Sequence, residues 1–209
     1  MRLIPKRVSE LGMKRINIAA GAVYFSFMIT SIVVTLYFGL IPLTQMGIRA
    51  DTLPMGIVAG VICQIPILIL VYITARSLEP GSDQEKTYSK LMKHARMHAT
   101  YAVFDAPVAE SFWSGIVLSS LVALLASLGL GVLVASVLGL IIGTAIHIIS
   151  HLGPLRPLFG EGAPLFQTYF VMLLNRIAFL ATNNLLAPIL GHFLFASYVL
   201  IGWRLGKKS

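Results

Sequence analysis

Charge is what this chain has least of. Asp, Glu, Lys and Arg make up 11% of its 209 residues, against about a quarter in a soluble domain. Acidic groups are the scarcer half, eight against sixteen Lys and Arg. With 57% of residues hydrophobic and a mean hydropathy of +0.86, this shortage excludes an ordinary soluble globule and points to an all-α, polytopic membrane helix bundle. Cysteine is nearly absent as well. Cys63 stands alone inside an apolar run, so no internal disulfide forms and the thiol reads as a small buried hydrophobe. Phosphate-binding loops are missing too: the glycine pairs at 129–131 and 160–162 lack the necessary spacing and read as turns.

What is present is a series of apolar runs of bilayer length. Residues 16–41, 54–75, 106–127, 131–151, 166–182 and 185–203 are each long enough to span, which predicts about six transmembrane helices. Pro66 is expected to kink the second. The first follows a basic tail over residues 1–15 and is too long for a cleaved signal. In this arrangement the tails and the loops on one side carry every Lys and Arg except Arg49, on the opposite side, and Arg176, inside the fifth span. Both termini are therefore expected in the cytoplasm of a cell inner (plasma) membrane. The net charge of +8 is accounted for by topology and anionic inner-leaflet lipids, with no nucleic-acid partner.

The chain thus reads as one membrane domain. Its parts are a basic tail (1–15), two N-terminal spans (16–75), a cytoplasmic loop (76–104), a four-helix core (105–203) and a second basic tail (204–209). Within the loop, Ser82 and Glu85 have capping-box spacing, and Tyr88, Leu91, Met92 and Ala95 recur on one face opposite Lys86, Lys90 and Lys93. That pattern predicts an interfacial helix on the inner leaflet. His94 and His98 have the i, i+4 spacing of a metal-gripping pair, but beside lysines and Arg96 they read as ordinary surface residues. Asp105 is expected as a solvated cap of the third span, and Asn183 and Asn184 as the turn between the last two.

Polar groups inside the spans are the candidate functional residues, because isolated polar groups in hydrocarbon are costly and face the bundle interior. Glu110 lies in the third span and His192 in the last. In the fourth span Ala135, Gly139, Gly143, His147 and His151 recur every four residues, a stripe of small residues that lets another helix approach closely and carries both histidines inward. By depth, Glu110, His147, His151 and His192 are placed to line one inward-opening cavity, with His192 at its floor. The competing structural role gives Glu110 a bond to Ser114, one turn on, or to Arg176 snorkelling toward it. His147, His151 and His192 are also the residues a zinc ion or porphyrin-type metal would use. Arg176 and Asn175 suit a substrate path, but with no second cation or internal repeat a transporter finds little support.

Three segments, in order, resemble the motifs of the CPBP family, the CAAX prenyl endopeptidases and bacteriocin-processing or immunity proteins. Residues 109–115, Ala-Glu-Ser-Phe-Trp-Ser-Gly, resemble its first motif, normally Glu-Glu-x-x-x-Arg-Gly. The helix ending at His151 resembles Phe-x-x-x-His, and residues 186–194, Leu-Ala-Pro-Ile-Leu-Gly-His-Phe-Leu, resemble the segment around the closing His-x-x-x-Asn. The resemblance covers roughly the last half of the chain and implies an intramembrane glutamate protease fold. Within the family the first glutamate, helped by the second-motif histidine, activates water, while the last His and Asn stabilise the oxyanion. Here Ala109, Ser114, His147 and Ala196 replace the glutamate, arginine, phenylalanine and asparagine, whereas Glu110, His151 and His192 remain at family positions. An alanine methyl takes no proton, and Glu110 points about 100° away around the helix. The resemblance therefore implies a catalytically degenerate member acting as a subunit, assembly partner or chaperone-like binder of another membrane protein. No cofactor is expected. The enzyme alternative keeps Glu110, His151 and His192 as its catalytic residues.

Overall fold

The computed structural model describes the backbone of residues 6–152 and 165–207, and the side chains of 19–150 and 169–207 except at 20, 90, 91, 94, 97 and 98. The side chains of His94, His98 and His151 and the turn at 160–162 lie outside the described residues. Eight α-helices are described: α1 Lys6–Phe38, α2 Leu53–Ile62, α3 Ile65–Ser77, α4 Asp83–Glu110, α5 Ser119–Ser127, α6 Val132–Leu152, α7 Leu165–Thr182 and α8 Leu186–Lys207. A π-helical stretch, Ser111–Leu118, joins α4 to α5. No strand occurs among the described residues.

Five segments are long and apolar enough to cross a membrane: Gly21–Phe38, Leu53–Ser77, Ala99–Ser127, Val132–Ser150 and Leu186–Lys207. The chain is a multi-pass integral membrane protein. α7 adds a shorter apolar stretch, Tyr169–Thr182.

Local chemistry explains where the helices start and break. The second span is interrupted at Cys63 and Gln64, and Pro66 sits in the first turn of α3, where its missing N–H costs no helical bond. At α4 the Ser82 hydroxyl accepts from the Glu85 N–H at 3.2 Å, while the Glu85 carboxylate accepts from the Gly81 N–H at 2.6 Å. This is a capping box shifted back by one residue. From there the chain stays helical to Ser127, so the amphipathic segment is not a separate element. Its apolar face is covered by protein: Met92 and Ala95 are buried with Ile67, Val71 and Val199, and Tyr88 stacks on Trp203 at 6.1 Å. Asp105 lies inside α4, where it caps nothing.

α8 is the central post, packed against α2, α3, α4 and α7. Glycines permit this. A Cβ at Gly202 or Gly206 would come within 2.6 Å of the carbonyl oxygens of Leu68 or Tyr72 on α3. The expected stripe on α6 serves in the same way, since a Cβ at Gly139 would meet Val122 on α5 at 2.8 Å. At the end of the bundle where α1 stops and α2 begins, the segment 39–52 is pinned by the Leu185 N–H donating to Gly47 O at 2.8 Å. Gly47 has φ +80°, and a Cβ there would meet the Leu185 nitrogen at 2.8 Å, so only glycine fits. Asn183 turns the chain with φ 44°, and Asn184 donates to Arg49 O and Thr52 Oγ1, as expected of a turn pair.

Candidate functional site

The polar residues of the spans form two clusters, where the sequence suggested one shared cavity. In the first, Glu110 ends α4 and is 5% exposed. Ser114, in the π-helical stretch, donates to its Oε2 at 2.6 Å. Asn175 of α7 donates to Oε1 at 3.1 Å, and His192 Nδ1 of α8 lies 3.0 Å from the same oxygen. The other ring nitrogen of His192 faces Asp105 Oδ2 at 3.4 Å. Behind Asn175, Gln64 at the α2–α3 break donates to Asn175 Oδ1 at 2.8 Å. One carboxylate thus ties α4, α7 and α8 together, with the broken second span attached through Asn175.

His192 stands between two carboxylates. Each ring nitrogen faces an oxygen, so two bridges require two protons among Asp105, His192 and Glu110. The two nitrogens point to opposite sides of the ring, so the three groups form a line and do not converge on one point.

The second cluster is built around Arg176, 2% exposed on α7. Its guanidinium donates to Thr144 Oγ1 at 3.0 Å and to His147 Nδ1 at 2.7 Å. A guanidinium only donates, so Nδ1 is the acceptor and the His147 proton sits on Nε2. The His147 ring stacks on Trp113 at 4.1 Å, and the Trp113 indole N–H donates to the Tyr24 hydroxyl of α1 at 2.9 Å. Of the two structural partners considered for Glu110, Ser114 is the one bonded to it and Arg176 is not. Arg176 turns toward α6 because Thr144 and His147 offer two neutral acceptors there, while Asn175, Ser114 and His192 already occupy Glu110.

The candidate residues are therefore distributed unequally. Glu110, Ser114 and His192 meet in one cluster, and His147 and Arg176 belong to the other. His147 and His192 serve different partners, and among the described residues no group of three or more His, Cys, Asp or Glu is placed to hold a metal. Asp105, Asn175 and Gln64 complete the first cluster, and Thr144, Trp113 and Tyr24 the second. Their sequence signal was modest: a polar pair, Asn175-Arg176, in an apolar helix, and Gln64 two residues before Pro66.

Neither cluster opens onto a described cavity. A groove of about 740 Å³ runs between α2–α3 and α7, lined by residues such as Met55, Val58, Ile62, Pro66 and Ile177, and presents no polar surface. A smaller one of about 210 Å³ lies among Gln45, Ser119, Val122 and Phe179. Ion pairs lie at both ends of the bundle, outside the apolar core of the spans. Lys207 Nζ at 2.5 Å, with help from the Gly81 N–H, holds the Glu85 carboxylate below its usual range. The bond from Arg49 does the same for Asp51.

No family model, curated protein or solved structure matches this chain.

Proposed function

We propose that this protein is a CPBP-like membrane scaffold without protease chemistry, acting as a subunit, assembly partner or chaperone-like binder of another membrane protein. One observation carries the reading: the Glu110 carboxylate takes donors from Ser114 and Asn175 and a bridge to His192, 5% exposed and lining neither cavity. A general base needs its oxygen within hydrogen-bond reach of the water it activates. Here both oxygens are engaged with side chains that hold helices together. The position of the missing family glutamate is the buried methyl of Ala109, and that of the missing asparagine is the fully buried Ala196.

The proposal includes six spans, with α7 as the sixth, both termini cytoplasmic in the cell inner membrane, and the basic tails against anionic lipid. Recognition then falls to the outer apolar faces, with α1, the least buried span, as the most available. The test is purification from native membranes in mild detergent after in vivo cross-linking. A second membrane protein should be recovered at stoichiometric yield, and Glu110→Gln, where folded, should retain it. Recovery of the protein alone would overturn the reading. Cleavage of a membrane or prenylated peptide by wild type, abolished in a folded Glu110→Gln protein, would replace it with the protease.

A further inference from the structure

The line Asp105–His192–Glu110 has one end that the other cluster lacks: a carboxylate partly open to its surroundings. The Asp105 side chain is 32% exposed, against 18% for His192 and 7% for Glu110. Exposure therefore falls step by step along the line. Asp105 precedes Glu110 by five residues on α4, which places it about 7.5 Å nearer the face where α4 begins and α8 ends.

We propose that these three residues form a proton-binding relay, loaded from that face through Asp105 and ending at Glu110. Before loading the line holds one proton, on His192 Nδ1, and water on that face protonates Asp105. The Asp105 O–H bond then breaks as an N–H bond forms at His192 Nε2, and the Nδ1–H bond breaks as an O–H bond forms on Glu110 Oε1. The ring changes tautomer, Asp105 is again ionised, Glu110 is left as a neutral carboxyl group, and the line now holds its two bridging protons.

Among the described residues, the groups on the elements around the line are these. On α7, Asn175 does not titrate and Arg176 is committed to Thr144 and His147. At the α2–α3 break, Gln64 is neutral, and Cys63 faces Gly60 O and Asn175. Tyr101 on α4 and Tyr24 on α1 lie within electrostatic range of Asp105. The proposal stands apart from the binding function, and failure to find a partner leaves it intact.

The experiment is time-resolved infrared spectroscopy of the full-length protein in liposomes after a pH jump, reading the carbonyl stretch of a protonated carboxyl group. Wild type should show such a band on acidification, absent in Glu110→Gln. In Asp105→Asn and in His192→Phe the band should form about a hundredfold more slowly. Absence of the band, or an unchanged rate in Asp105→Asn, overturns the relay. Asp105 is the most exposed of the three, so Asp105→Asn keeps the test decisive even where Glu110→Gln does not fold.

Discussion

The two histidines with described side chains in the spans are the same residue in opposite circumstances. His192 lies between two acids and bridges both, so its cluster is a chain of proton carriers. His147 lies between a guanidinium and an indole face, accepts at Nδ1, and carries its one proton on the other nitrogen. The contrast shows that the charge of the partner decides what a buried imidazole does. Glu110 gathers an amide donor from α7, a hydroxyl donor from the π-helical stretch and a ring bridge from α8. Arg176 takes its two hydrogen-bond acceptors, both neutral, from α6 and lies 6.0 Å from the Trp113 ring centroid.

That difference ranks the expected effects of mutation. Glu110→Ala should be the most damaging change, at about 3–5 kcal/mol, because it leaves a buried imidazole bridge and two donors without their acceptor. Arg176→Met should cost less, about 1–3 kcal/mol, since it leaves only a hydroxyl and an imidazole acceptor unpaired. Unfolding in mixed micelles or by steric trapping measures both, and a reversal of the order would break the comparison.

Packing around the two clusters supplies a finer test. A Cβ at Gly191 would clash with Asn175 Oδ1 and approach Cys63 Sγ at 2.8 Å, whereas at Gly143 its nearest neighbour is Leu121 Cδ1 at 3.5 Å. Gly191→Ala should therefore destabilise by about 1–3 kcal/mol by displacing Asn175 from Glu110. Gly143→Ala on α6, beside the Arg176 cluster, should change stability by less than about 0.5 kcal/mol. Equal effects at both positions would mean that the Glu110 cluster is not the tighter of the two.

The smallest effect belongs to the partly exposed pair of Lys207 and Glu85, outside both clusters. Lys207 lowers the folded-state pKa of Glu85, so the pair adds stability above the unfolded glutamate value of about 4.3. That stability is lost as pH falls through the lower folded value. Wild type and Glu85→Gln should differ slightly at neutral pH and converge in acid; a difference that persists in acid would assign the effect to something other than this charge.

Much of the architecture was legible. Run lengths located the five segments long enough to span, Pro66 marked the interruption of the second, and the spacing of Gly139 and Gly143 identified the face on which α5 packs. Ser82 and Glu85 marked the start of α4, because capping is a local exchange of hydrogen bonds. The stripe of Tyr88, Met92 and Ala95 was legible as apolar but not as protein-covered. Periodicity reports that a face is apolar and is silent on whether lipid or Val71 and Trp203 lie against it. Asp105 reads from local sequence as a cap, and only the neighbouring α8 makes it a partner of His192.

The sequence by itself determined that this is a helical, multi-pass membrane protein with polar groups sealed inside, because span length and hydropathy are properties of single segments judged against the thickness of lipid. Which polar groups meet was decided by tertiary structure. Arg176 and Glu110 carry opposite charges and are natural partners on paper. They are separated because α7 directs its two adjacent polar residues to different neighbours: Asn175 to Glu110, and Arg176 to Thr144 and His147. Successive residues on a helix point about 100° apart, and only the placement of α4, α6 and α8 around α7 determines what each finds there.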